Sequence, residues 1–189
     1  MYQLNPQDYD YGRKIQREKL LPLLVEGSAW FCSLSLARPS KSLRDEDIPK
    51  RYIIPFCLNL SRQSQSTITP FVGWWIETID FRHHTHTHIA FHSTNPFLEP
   101  TTILDEWKHV GGGYMNSIRP FDPSKEGLAY IYGKHQRRTE GFWERPFTPP
   151  KDHKTGELRK PIDRMKRFIG KSSSTKAFEP TVIRRVNSQ

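Results

Sequence analysis

The alternation of apolar and polar positions divides the chain into short segments of two kinds. In SAWFCSLSLA, residues 28–37, Trp30, Cys32, Leu34 and Leu36 fall on one side and Phe31, Ser33 and Ser35 on the other, and this period of two predicts a strand. PFVGWWIETIDF and HTHTHIAFHS predict two further strands, close enough to form a hairpin, and YMNSIRPF predicts a fourth. Elsewhere the apolar spacing widens to the helical period. Asp8 to Glu26 carries Leu20, Leu23, Leu24 and Val25 and ends at Gly27, which predicts a helix whose last turn is disturbed by Pro22. DIPKRYIIPFCLNLSRQ sets Tyr52, Ile53, Phe56, Cys57 and Leu60 at helical spacing, with Asp47 as a cap and Pro49 in the first turn. TTILDEWKHVGGG reads as a helix stopped by glycines, and DPSKEGLAYIYGKHQRR as a helix capped by Asp122 or Ser124.

The resulting order, α-β-α-β-β-α-β-α, interleaves strands and helices in one unit and predicts an α+β fold. Its βαββαβ core matches the split ferredoxin-like (RRM-like) arrangement, an antiparallel sheet with its helices on one face and the other face open to a ligand. Three regions follow: an N-terminal helical segment, 1–27; a core, 28–144; and a C-terminal tail, 145–189.

Charge sharpens that last boundary. The 189 residues carry a net +9, yet from Arg145 onward twelve Lys and Arg stand against four Asp and Glu, so nearly all the excess lies in the tail. The tail is rich in Pro, Ser and Lys and reads as largely irregular, with one short helix around PIDRMKRFIG. Such a tail suits a polyanionic partner through phosphate neutralisation and counterion release. Hydrophobic residues make up 35% of the chain, enough for an ordinary core, and no run approaches a bilayer-spanning length. The opening MYQLNPQDYDYGRK lacks the apolar centre of a signal peptide, so a soluble, cytoplasmic protein is expected. Cys32 and Cys57 both lie in apolar stretches and read as reduced, buried thiols; a zinc-stabilised structural protein would need a closed ligand set that they are poorly placed to supply.

The candidate chemistry begins with RHHTHTHIAF, residues 82–91. Alternation along a strand puts His84, His86, His88 and His92 on one face and Thr85, Thr87, Ile89 and Phe91 on the other, so the apolar set packs under helices and the histidines take the open face. If Arg82 and His83 form a two-residue turn, Phe81 opposes His84, Ile79 opposes His86, and Glu77 opposes His88. Two imidazoles and a carboxylate from neighbouring strands would then make a facial site for a divalent ion with positions left for a phosphate oxygen and water. A second group lies in EGLAYIYGKHQRR. Tyr130 and Lys134 are four apart and share a helix face, while Tyr132 points roughly the opposite way. A phenol attacks only when a cation favours the phenolate or a base removes its proton, and Lys134 and the metal are the sources of that help.

Three segments taken in order, WFCSLSLAR, HTHIAF and GLAYIYGKHQ, resemble the motifs of the HUH endonucleases, the single-strand nicking enzymes of rolling-circle replication initiators, relaxases and related transposases. The resemblance spans about Trp30 to Gln136. It departs from the family pattern in having Thr87 between the histidines and in spacing Tyr130 and Lys134 four apart rather than three. By this resemblance His86, His88 and Glu77 would hold Mg2+ or Mn2+. Tyr130, with Tyr132 as the alternative nucleophile, would attack the scissile phosphate to leave a 5′-phosphotyrosine link and a free 3′-OH. Lys134 would stabilise the phenolate or the transition state. Arg82, His84, Arg137, Arg138, Lys166 and Arg167 are candidate DNA contacts. The partner implied is single-stranded DNA at a replication origin, and because no P-loop pattern occurs a helicase would be a separate host protein. The expected function is rolling-circle initiation; the alternatives are a transposase or relaxase of the same chemistry, or a non-catalytic nucleic-acid-binding module with an RRM-like sheet.

Overall fold

Period-two segments become strands and period-3.6 segments become helices in the predicted order. The computed structural model describes residues 6–36, 47–79, 82–134 and 142–162, and the side chains of all these but 75–79, 82–85 and 134. Helix α1 is Pro6–Ile15, strand β1 Ser28–Leu36, helix α2 Ile54–Ser64, strands β2 Ile68–Ile79 and β3 Arg82–Ser93, helix α3 Pro100–His109, strand β4 Gly112–Pro120 and helix α4 Gly127–Lys134. The four strands form one sheet in the order β2-β3-β1-β4, every neighbouring pair antiparallel.

Proline shapes both long helical segments. Pro22 has no N–H to continue an α-helix, and after α1 the chain passes through a wide π turn, Gln16–Leu20, and a tight 3-10 turn, Leu21–Val25. Gly27 then takes a left-handed φ of 90°, where a Cβ would meet the Ser93 carbonyl oxygen, so only glycine turns the chain into β1 here. Before α2 the segment Pro49–Ile53 is likewise a π turn, and Pro55 falls in the first turn of α2, where its missing N–H costs little. The expected Asp47 cap does not form, since neither helical piece has a side-chain cap.

Helices cover both faces of the sheet, which corrects the expectation of a one-sided cover. Cys32, Leu34, Val72, Ile89 and Phe91 point to α2 and α3 and pack on Phe56, Leu60, Ile103 and Trp107. Phe31, Phe71 and Ala90, on the histidine face, pack on Ile15 and Leu20 and on Leu128, Ile131 and Tyr132 of α4. The apolar side chains of α1 and α4 bury against this face and against each other, so the two helices close part of the face that would otherwise be open.

These two helices cross closely. A Cβ on Gly12 would lie 2.5 Å from the Leu128 carbonyl oxygen and 2.6 Å from Ala129 Cα. The Arg13 guanidinium donates to both Glu126 carboxylate oxygens, at 2.7 and 3.0 Å, and holds that carboxyl below the usual carboxylate range. The cap on α4 is neither of those expected. Asp122 accepts hydrogen bonds from Ser124 in the preceding turn, while Gln16 Oε1 accepts from Leu128 N–H and Gln16 Nε2 donates to the Lys125 carbonyl.

Cys32 and Cys57 are free and fully buried, and burial pushes both thiols far above the ordinary thiol range, with Cys57 adding to the effect on Cys32. Residues 145–162, assigned to the tail by composition, run beside α2 and β2. Phe147 and Ile68 exchange both backbone hydrogen bonds at 2.8 Å, and the Arg62, Gln63 and Gln65 side chains bond the backbone at Lys160, Ile162 and Arg159. The short helix expected in PIDRMKRFIG falls, beyond Ile162, outside the described residues. No described helix is long and apolar enough to cross a membrane.

Candidate functional site

The histidine strand β3 lies between β2 and β1, and its pairing fixes what surrounds each imidazole. Against β1, His88 pairs with Ser33 and His86 with Ser35. Against β2, Glu77 pairs with His84, Trp75 with His86 and Gly73 with His88. The expected register, with Glu77 opposite His88, is therefore wrong by four residues. Arg82 and His83, read as the turn, are strand residues opposite Ile79 and Thr78. An even shift leaves every residue on its assigned face, so Glu77 still shares the face of the histidines. Along the strand it lies ~7 Å beyond the position opposite His86 and ~14 Å beyond that opposite His88, at ~3.4 Å per residue.

His88 is 6% exposed and is surrounded by specific groups. Its Nδ1 is 2.8 Å from Ser33 Oγ. The His86 ring lies edge-on at 5.1 Å, the Tyr130 ring edge-on at 5.2 Å and the Phe31 ring tilted at 5.9 Å. Helix α4 brings Tyr130 here because Leu128, Ile131 and Tyr132 supply the buried face of the helix and leave Tyr130 at its margin, half-buried beside the sheet. Tyr132, two residues on, is 1% exposed and meets Tyr11 of α1 edge-on at 5.3 Å. Lys134 ends α4, one turn beyond Tyr130.

The structure thus brings together His86, His88 and Tyr130 and places the backbone of His84 and Glu77 along the same ladder. The side chains of Glu77, Arg82, His84 and Lys134, and the whole of Arg137, Arg138, Lys166 and Arg167, lie outside the described residues. Among the described side chains no three of His, Cys, Asp and Glu gather closely enough to hold a metal ion. His92, on the same face, is occupied structurally: its ring nitrogen is hydrogen-bonded to the Glu26 carbonyl at the entry to β1.

Three neighbours of the site were not singled out from sequence: Ser33, Phe31, and Arg119, whose guanidinium sits 5.0 Å over the Phe31 ring. Their signal is the second face of β1, where Phe31, Ser33 and Ser35 alternate, with Arg119 and Ser117 directly opposite on β4. Further along, β4 bulges. Leu34 pairs with Asn116 and Leu36 with Gly112, so Ser35 alone faces three residues. Ser35 Oγ accepts from Met115 N–H at 3.1 Å, and the Asn116 side chain bonds Ser35 N–H and the Gly113 carbonyl. The bulge leaves Tyr114 88% and Met115 81% exposed, two strands from His86.

Comparison of the chain with protein-family models, curated proteins and solved structures finds no match.

Proposed function

We propose that the protein nicks and rejoins single-stranded DNA through a covalent 5′-phosphotyrosine link, with Tyr130 as the nucleophile, in the service of rolling-circle replication. The observation that carries this reading is the Tyr130 ring beside His88 and His86 on one sheet face, a phenol and two imidazoles contributed by elements more than 40 positions apart in the chain. The strand order β2-β3-β1-β4, with α2 and α3 on one face, supports a ferredoxin-like core to which α1 and α4 are added.

The adjacent imidazoles of His86 and His88 fit a divalent ion as nitrogen donors. Glu77, paired with His84 at the far end of the ladder, would complete a site centred on His86 and lies too far along the strand to share an ion directly with His88. When bound, Mg2+ or Mn2+ supplies Lewis-acid polarisation of a phosphate oxygen. Tyr130 Oη forms the bond to phosphorus in line, the bond from phosphorus to the 3′ oxygen breaks, and that oxygen takes a proton to become the 3′-OH. Lys134, one turn beyond Tyr130, favours the phenolate. Tyr114 and Met115 on the β4 bulge offer a stacking surface for a base, and Arg119 a cation for a phosphate.

His88→Ala tests the imidazole role. It is expected to lower Mn2+-dependent cleavage of a single-stranded oligonucleotide at least ~100-fold, as loss of a ligand costs no less than loss of the groups that orient one, while salt-sensitive binding persists. Cleavage at the wild-type rate would remove His88 from the mechanism. Residues 163–189 hold seven Lys and Arg against two Asp and Glu. Ending the chain at Ile162, which keeps the Phe147–Ile68 pairing, should weaken binding and flatten its dependence on salt by ~0.7 in the log-log slope for each phosphate that the shortened chain leaves unneutralised. An unchanged slope in a titration from low to moderate salt would refute that use of the tail.

A further inference from the structure

The β1–β3 ladder sets Ser33 directly opposite His88, and the serine hydroxyl closes to 2.8 Å from Nδ1. The rings of His86, Tyr130 and Phe31, which also surround this imidazole, offer it faces and edges. The hydroxyl is a directional partner that either accepts from Nδ1–H or donates to a bare Nδ1, and which of the two it does goes with the tautomer of the ring. A histidine that gives one nitrogen to a metal donates the N–H of the other to an oxygen, which fixes both tautomer and ring orientation. Ser33 Oγ is such an oxygen, and it stands on a strand paired on both sides.

We propose that Ser33 is a positioning residue that accepts a hydrogen bond from His88 Nδ1–H and so holds His88 in the tautomer whose Nε2 lone pair is available to a ligand. The acceptor role of Ser33, and with it the tautomer, rests on the metal binding proposed above, since a hydroxyl alone can serve either tautomer. A neutral imidazole left to itself favours the Nε2–H form, whose Nε2 has no lone pair to give, so the serine reverses the ordinary preference. Its place in the sequence is the centre of the period-two segment, where a polar residue between Phe31 and Ser35 would otherwise pass as a solvent-facing strand position.

The experiment uses the full chain labelled with 15N-histidine, with long-range proton–nitrogen spectra recorded at a pH where His88 is neutral, and Mn2+ alone as the metal probe. Wild type should show His88 as the Nδ1–H tautomer. Ser33→Ala should shift it to Nε2–H and weaken Mn2+ affinity ~10–100-fold, the usual effect of removing such an oxygen. Ser33→Thr, which keeps a hydroxyl at the same position and suits a strand, should restore both, and that rescue separates positioning from a loss of fold. An Nε2–H tautomer in wild type, or an Nδ1–H tautomer that survives Ser33→Ala, overturns the proposal. An Nδ1–H tautomer that depends on Ser33 in a protein that binds no Mn2+ and forms no DNA adduct upholds the positioning role and sinks the nicking function instead.

Discussion

Replacing Tyr130 by phenylalanine is expected to abolish the SDS-resistant adduct formed when the protein is incubated with a labelled single-stranded origin oligonucleotide and Mn2+. The drop should be at least ~1,000-fold in initial rate, as befits removal of a nucleophile rather than of a helper. The substitution deletes one oxygen and keeps the ring that lies 5.2 Å from His88, so the protein should remain folded with α4 against the sheet face. Tyr132→Phe is the internal control. Two residues further along a helix is about 200° around it, and Tyr132 is buried with its ring edge-on to Tyr11 of α1, whereas it is the Tyr130 ring that lies beside His88. It should form adduct at close to the wild-type rate. Loss of adduct in Tyr132→Phe alone would transfer the nucleophile's role to Tyr132, and adduct formation by neither wild type nor variant, across a broad set of sequences, would end the enzyme reading.

The largest expected effect on stability is at Gly12. A valine there must put its Cβ where the Leu128 carbonyl oxygen and the Ala129 Cα already lie, at 2.5 and 2.6 Å. Both obstacles are backbone, so no rotamer change relieves the clash and α1 must move off α4. Overpacking of this kind costs about 1–3 kcal/mol, and the rigid neighbours place Gly12→Val at the upper end. At roughly 2–4 °C per kcal/mol for a chain of this size, the thermal midpoint should fall by ~6–12 °C. Arg13→Ala, one position on, removes a solvent-exposed ion pair with Glu126 and should change the midpoint by no more than a few degrees. A Gly12→Val protein as stable as wild type would mean that α1 does not pack on α4 in this way. Because Leu128 and Ala129 immediately precede Tyr130, the same variant should also slow adduct formation at temperatures where it remains folded.

Much of this arrangement is legible in the chain because side-chain alternation is a geometric property of strands. The face assignments of β1 and β3 follow from Trp30, Cys32 and Leu34 against Phe31 and Ser33, and from Ile89 and Phe91 against His86 and His88. The hairpin register is not legible, for the same reason. Moving β2 by four residues against β3 leaves every side chain on its original face, so no pattern of apolar and polar residues separates Glu77 opposite His88 from Glu77 opposite His84. The covering of the histidine face is legible only in part. Phe31, Phe71 and Ala90 share it with the imidazoles, and three apolar residues on a supposedly open face imply a lid, yet periodicity alone does not reveal which helix provides it. The cap on α4 could not be read locally, because Gln16 reaches it across 112 positions of sequence. Composition likewise merges residues 145–162 with the basic tail, whereas a single backbone pairing at Phe147 commits that stretch to the sheet edge.

That reach from α1 to α4 has a consequence in time. The Arg13 and Glu126 side chains are joined across 113 residues, and at ribosomal rates of about 5–20 residues per second α1 emerges ~6–23 s before its partner helix exists. Through that interval the strands of the hairpin can pair, but Ile15 and Leu20 have no helix to cover, and the imidazole face lacks both its lid and its phenol. The two histidines and Tyr130 therefore meet only after nearly the whole described chain has been made. A nascent or prematurely ended product that stops short of α4 carries the histidines without the group proposed to react, so the three groups come together only once α4 has been delivered.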